Sequence, residues 1–272
     1  MTPHGGLDYP ALTENLRRIA HQAAREVMAV YQQDIEVRHK DDRSPVTDAD
    51  IRAERVILQE LARLAPNIPV IAEEAASEGD FPDVDDVFFL VDPLDGTKEF
   101  IHRNGEFTVN IALIVDRIPV IGVVYAPAKK RLFYGAGPGQ AFEQNLDPTR
   151  DVDQTGAPAP RHIQTRPPPQ AGLIAVASRS HRNPETDKFL QQFNVTEFVI
   201  AGSSLKFCLV ATGEADIYPR LGPTMEWDTA AGHAVLNAAG GSVTKMDGEP
   251  LLYGKTETGF KNPLFVARGQ ST

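Results

Sequence analysis

Asp92 and Asp95 stand three residues apart in Val91-Asp92-Pro93-Leu94-Asp95-Gly96-Thr97, at the mouth of an apolar run. Pro93 fixes its own φ and Gly96 permits a tight turn, so both carboxylates and one carbonyl can be aimed into the same space. Oxygen donors in that arrangement suit a hard cation such as Mg²⁺ or Mn²⁺. Glu73-Glu74 closes a short apolar segment upstream, and adjacent glutamates repel unless water or a cation neutralises them. Asp48 and Asp50 open a helical pattern, where negative charge is favoured in any case. Asp228 heads an apolar helix in Trp227-Asp228-Thr229-Ala230-Ala231-Gly232, whose small residues allow close packing. Each acid alone has an ordinary reading as a solvated turn, a strand end or a helix cap. Brought together, they would form a two-metal cage in which one cation activates water and the other stabilises the leaving oxygen of a phosphate ester. Helix N-termini beside such a cage would hold phosphate oxygens through backbone N–H groups.

The elements that must carry these acids follow from periodicity. Leu12, Leu16, Ile19, Ala20, Ala23, Val27 and Val30 recur at helical spacing and predict an amphipathic helix over about 11–31. Thr47 or Asp48 caps a second helix running to about residue 64. Segments 69–72, 87–91, 107–115, 120–125 and 131–134 read as strands, and the run 87–91 is apolar on both faces, as a covered strand would be. Segment 144–170, rich in proline, reads as a surface excursion and connection between two halves. Beyond it, strands at 173–177, 196–200, 215–218, 243 and 264–266 alternate with helices at 184–193, 203–211 and 228–239. The chain of 272 residues therefore reads as an N-terminal α+β half, 1–150, and a C-terminal α/β half, 151–272.

Composition narrows the function classes. Apolar residues make up 42% and charged residues 24%, ordinary for a globular protein. The 27 Lys and Arg against 37 Asp and Glu leave a net charge of −10, which argues against a nucleic-acid polymer as partner. It does not argue against small anions, because a bound cation reverses the local field. The single cysteine, Cys208, lies in an apolar stretch and reads as a buried, inert thiol. No run is long enough to span a membrane and the first ten residues lack a signal-peptide pattern, so a cytoplasmic protein is expected. Gly135-Ala136-Gly137-Pro138-Gly139 fails as a dinucleotide fingerprint because Pro138 breaks the spacing.

Pro45 to Asp50, Glu73-Glu74, Asp92 to Thr97 and Trp227 to Gly232 together resemble, in order and over essentially the whole chain, the inositol monophosphatase superfamily. Lys98-Glu99-Phe100, Asn104 to Asn110, Ser178-Arg179-Ser180-His181, Gly202 to Cys208 and Tyr218-Pro219-Arg220 look like its CysQ-type 3′(2′),5′-bisphosphate nucleotidases. The resemblance implies a five-layer αβαβα sandwich of the α/β class and a lithium-sensitive phosphatase with two or three Mg²⁺ ions, Mn²⁺ being able to substitute. Glu73, Asp92, Asp95, Asp228 and the Leu94 carbonyl would be metal ligands, and Glu74 a less direct contact. Asp50 and Thr97 would orient and deprotonate the attacking water, with Gly96 and Thr97 as donors to the scissile phosphate. His181, Ser203, Lys206 and Arg220 would surround the nucleotide and its uncleaved phosphate. From the residues alone, Lys206 also reads as an exposed helix position, and Arg220 and His181 as surface groups. The implied reaction is hydrolysis of adenosine 3′,5′-bisphosphate to AMP, with the sulfated nucleotide PAPS as a second substrate, in sulfur assimilation. An inositol or sugar phosphatase on the same scaffold, and a non-catalytic cation or nucleotide sensor, are the competing expectations. A homodimer and loose attachment to the inner membrane face are both compatible with the resemblance.

Overall fold

The computed structural model describes residues 7–33, 35–39, 45–79, 81–150, 158–178 and 183–270. Helix α1 (Tyr9–Tyr31) starts where Asp8 Oδ1 accepts from Ala11 N at 3.1 Å, and it buries the predicted stripe from Leu12 to Val30. A short antiparallel pair, β1 (Val37–His39) and β2 (Pro45–Thr47), leads into α2 (Asp48–Leu64). Then come β3 (Val70–Ala72), α3 (Glu73–Ser77), β4 (Val87–Asp95), α4 (Thr97–Ile101), β5 (Thr108–Val115), β6 (Ile118–Ala126), β7 (Arg131–Ala136), β8 (Ala141–Asn145) and β9 (Arg161–His162). Strands β3 to β9 form a seven-stranded sheet in sequence order, antiparallel except for the parallel β3–β4 pair. The rest comprises β10 (Leu173–Ser178), α5 (Pro184–Leu190), β11 (Val195–Ala201), α6 (Leu205–Ala211), β12 (Ile217–Arg220), α7 (Ala230–Ala238), β13 (Ser242–Lys245) and β14 (Phe265–Arg268). These strands form a second sheet in the order β11-β10-β12-β14-β13.

Five layers result, as the α/β sandwich expectation requires. α1 and α2 cover one face of the larger sheet, while α6 and α7 lie between the two sheets. α5 sits against β12 of the smaller sheet. The period-2 geometry of β4 divides its apolar run: Phe89 and Val91 pack with α1 and α2, whereas Phe88 and Leu90 join the core that holds α6 and α7. That is why the run shows no alternation in sequence. Close packing of α7 rests on missing side chains. A Cβ on Gly122 would meet the Ala231 carbonyl oxygen at 2.2 Å, and one on Gly135 would meet Ala238 Cβ at 2.8 Å.

Several elements differ from expectation. Glu73 and Glu74 do not end a strand in the open; they begin α3. The predicted helices at 184–193 and 228–239 are shorter, Pro184–Leu190 and Ala230–Ala238, leaving Asp228 in the preceding turn. The proline-rich stretch is partly structural. Ile163 and Thr165 are buried, their N–H groups donating to Ala141 O and Ala239 O, because β9 extends the larger sheet. No described helix is long and apolar enough to cross a membrane.

Candidate active site

A cavity of about 290 Å³ opens where the ends of β3, β4 and β12 meet the turns before α6 and α7. Glu73, Asp92, Leu94, Asp95, Gly96, Thr97, Ser203, Lys206, Arg220 and Asp228, all expected at the site, line it. Asp50 stands behind Thr97, and His181 lies outside the described residues.

The acidic wall is built by β4 and the helices beside it. Asp92 and Asp95 flank an irregularity in the β4–β5 register, where Asp92 pairs with Asn110 and Asp95 with Thr108. Pro93 suits the irregularity because it offers no N–H to a ladder. Leu94 N donates to Asp92 Oδ1 at 3.0 Å. Gly96 takes φ +91°, and a Cβ there would meet Ser203 Oγ at 2.2 Å, so the turn needs glycine twice over. Asp228 does not cap α7. Its Oδ2 accepts instead from Met225 N at 2.8 Å, which turns the carboxyl back toward β4. One oxygen from each of Glu73, Asp92 and Asp228 lies within 4.8 Å of the others.

Burial pushes the carboxyls of Asp92, Asp95 and Asp228 above the ordinary range. Their neighbours' charges add to this: Glu73, Asp95 and Asp228 act on Asp92, and Asp95 and Glu73 on Asp228. A set of converging carboxylate oxygens with this mutual repulsion fits a hard divalent cation of the Mg²⁺ or Mn²⁺ kind.

Asp50 is 2% exposed and carries two roles. Its Oδ2 accepts from Thr47 N and Thr47 Oγ1, both at 2.7 Å, closing the capping box of α2. Its Oδ1 accepts from Thr97 Oγ1 at 3.2 Å. Burial raises its carboxyl to about 6 against the lowering effect of the Thr47 bonds. Asp48, by contrast, faces outward and pairs with Arg38 and Arg52.

Two cations line the same cavity, close enough to act on Asp95 and Asp228. Lys206 and Arg220 are both buried, so neither is the exposed charge that residue type alone allows. Lys206 Nζ stands 5.6 Å from the centre of the Tyr218 ring. Burial lowers its ammonium to about 8, opposed by the charge of Asp95 and reinforced by that of Arg220. Arg220 Nη2 donates to Pro223 O at 2.8 Å, and its buried Nε has no hydrogen-bond partner among the described residues. Ser203, expected as a nucleotide contact, places its Oγ 2.8 Å from Asp95 O and 2.7 Å from Glu106 O.

Several contributors escape a reading of the sequence. Glu54 accepts from Glu74 N and Ala75 N at 2.9 and 3.0 Å and so anchors the start of α3, beside Glu73. Its signal was present: it follows Asp50 by four residues, on the same helical face. Asn110 is the one amide in a strand that is apolar from Ile111 onward, which is also a legible signal. Ser204 and Tyr218 lie in segments that carry the family resemblance, but residue type alone assigns them no role.

The inositol monophosphatase family model matches residues 9–267. The chain belongs to the inositol monophosphatase family. Within that family it is 45% identical over 256 residues to the 3′(2′),5′-bisphosphate nucleotidase CysQ of Salmonella typhimurium, spanning 93% of this chain and 98% of that protein. It is 44% identical to the CysQ of Escherichia coli K12 over the same shares. The crystal structure of CysQ from Bacteroides thetaiotaomicron superposes with a TM-score of 0.79 at 35% identity, covering 96% of this chain and 98% of that one. The inositol monophosphatase of Anabaena gives 0.71 at 25% identity, covering 96% and 92%. This family member is thus of the CysQ type and an enzyme of the phosphatase class.

Proposed function

We propose that the chain removes the 3′-phosphate of adenosine 3′,5′-bisphosphate, giving AMP and phosphate, with PAPS as a second substrate. The observation that carries this reading is the pairing of charges in one cavity: converging carboxylates together with buried Lys206 and Arg220. A substrate with one phosphate to lose and one to keep needs both. The uncleaved phosphate would face Lys206 and Arg220, whose donors suit a dianion. The relatives named as 3′(2′),5′-bisphosphate nucleotidases support the same class of substrate.

Glu73, Asp92, Asp95, Asp228 and the Leu94 carbonyl would hold Mg²⁺, two or three ions in all. When bound, the metal supplies charge stabilisation for the phosphoryl oxygens and acidifies water. Asp50, held by Thr47, accepts the Thr97 hydroxyl proton as Thr97 Oγ1 takes one from the attacking water. The new P–O bond forms in line with the breaking P–O3′ bond, and the 3′-oxygen leaves and takes a proton from solvent. Gly96 and Thr97 would offer donors to the scissile phosphate, and Ser203 and His181 would complete the nucleotide site. The residues before about 150 would carry most metal ligands, and the half beyond it Asp228 and the nucleotide contacts.

Phosphate release from a panel of 3′-phosphonucleotides and inositol phosphates tests this, with Asp95→Asn as control. The bisphosphate nucleotide is expected to be turned over fastest. Asp95→Asn is expected to stay folded and lose metal-dependent release by about three orders of magnitude, the equivalent of several kcal/mol of charge stabilisation. Faster turnover of inositol 1-phosphate overturns the substrate assignment. No release from any ester overturns the enzyme in favour of a sensor.

A further inference from the structure

Two of the acids on the cavity wall come from distant parts of the chain, Asp95 at the end of β4 and Asp228 before α7. One side chain touches both. Ser204, 1% exposed, precedes α6. Its N–H donates to Asp95 Oδ2 at 2.7 Å. Its Oγ lies 2.7 Å from the carbonyl oxygen of Asp228, 3.1 Å from Asp95 Oδ2 and 3.0 Å from Asn110 Nδ2.

A serine hydroxyl has one proton to give and two lone pairs to receive. Asn110 Nδ2 is a donor, so Ser204 Oγ accepts from it. The hydroxyl proton then goes to the shorter contact, the Asp228 carbonyl. Asp95 keeps its bond to the Ser204 N–H, which any side chain at 204 would preserve. Asn110 is wholly buried and its Oδ1 has no partner among the described residues, so the amide is aimed by the bonds of its Nδ2.

From this we infer that Ser204, backed by Asn110, is a positioning residue that sets the separation of Asp95 and Asp228 and thereby the affinity for divalent metal. The inference rests on the reading of these acids as metal ligands. Two burdens fall on the hydroxyl. It ties the backbone that carries Asp228 to the turn that carries Asp95, across a gap that no continuous strand bridges. It also satisfies a buried amide that would otherwise lose a partner. Groups bonded to the supports of metal ligands commonly change affinity by about 10- to 100-fold when removed.

The test is Mn²⁺ affinity, by calorimetry or by the electron paramagnetic resonance of free Mn²⁺, in the full chain and three variants. Ser204→Ala keeps the N–H to Asp95 and deletes the link to Asp228; about tenfold weaker Mn²⁺ binding is expected. Ser204→Cys, a weak donor of similar shape, is expected to fall between, and decides the matter if the alanine variant does not fold. Thr165→Val deletes another buried hydroxyl, bonded to Ala239 O at 3.1 Å beyond the far end of α7, and is expected to bind Mn²⁺ as the parent does. Phosphate release against metal concentration should show the same split: Ser204→Ala needs more metal for half-maximal rate and regains most of its rate at saturation. Parental affinity in a folded Ser204 variant, or an equal loss in Thr165→Val, overturns the inference. Parental protein that binds Mn²⁺ but hydrolyses no nucleotide removes the proposed substrate and leaves this inference standing; parental protein that binds no Mn²⁺ removes both.

Discussion

The acidic and cationic walls of the cavity are both buried, yet they are held differently. Nearby backbone N–H groups fix four of the acids: Leu94 N for Asp92, Ser204 N for Asp95, Met225 N for Asp228 and Thr47 N for Asp50. Of the cations, Lys206 Nζ rests over the Tyr218 ring, and Arg220 spends one donor on a neighbouring carbonyl. Like charges are thus forced together by short-range bonds on one wall. The buried cations are balanced by the field of those acids and keep donors in hand. The difference matches the two tasks proposed for them. The acids would have to converge at fixed positions for an ion of demanding geometry, whereas the cations would need only to present charge to a phosphate.

The comparison breaks first, and most visibly, at Asp50. Asp50→Asn keeps a capping oxygen for α2 but cannot take the proton of Thr97. Phosphate release is expected to fall about 10²- to 10⁴-fold, the usual contribution of a general base. The parental rate should also fall about tenfold per pH unit below pH 6, because a carboxyl raised to about 6 is protonated there and cannot act as base. Steady-state kinetics from pH 5 to 8 check both. If the acid limb persists in Asp50→Asn, another group is the base.

Lys206→Met sharpens the contrast by removing one cation while keeping its apolar stem. KM for adenosine 3′,5′-bisphosphate is expected to rise about 10- to 100-fold, the worth of a charge-assisted hydrogen bond of roughly 1.5–3 kcal/mol. For 3′-AMP, which lacks the second phosphate, KM should change less than about threefold. Equal losses on the two substrates would place Lys206 at the scissile phosphate instead.

The smallest effect is on stability. Asp92, Asp95 and Asp228 have raised folded-state values, so the metal-free folded protein binds protons more tightly than the unfolded chain. Its stability from these groups is therefore highest at low pH and falls as pH rises through and above the ordinary carboxylate range. A bound cation removes that loss. Mg²⁺ at about a hundred times its Kd is expected to raise the melting temperature by roughly 5–10 °C at pH 8. The rise should be smaller at pH 5, as differential scanning calorimetry can measure. A larger shift at pH 5 would contradict the repulsion assigned to this wall.

Much of this was legible in one dimension. The stripe of α1, the capping residues of α2 and the doubly covered strand β4 follow from periodicity, because each depends on a face repeating every 3.6 or 2 residues. The acids announced themselves by standing at element ends. Ambiguity entered where one pattern served two purposes. Asp50 is both cap and candidate base, and a capping argument alone explained its presence. Only the resemblance put Lys206 and Arg220 at the site; by residue type alone they read as surface charge, because burial of a cation is decided by what packs over it, not by its neighbours in sequence. Ser204 stood in a segment that carries the resemblance but was given no role, since a serine before a helix is ordinary.

By itself, the order of residues determined which groups are available and the local turns that aim them: Gly96 with its positive φ, Pro93 at the register irregularity, Asp50 in its capping box. Only the tertiary structure decided that Glu73, Asp92 and Asp228 share one small space, that two buried cations line the same cavity, and that Ser204 joins two acids 133 positions apart in the chain. The physical reason is range. Backbone torsions and caps are settled within a few residues, whereas the repulsion of converging carboxylates is tolerated only because two packed sheets with α6 and α7 between them hold the strand ends in place.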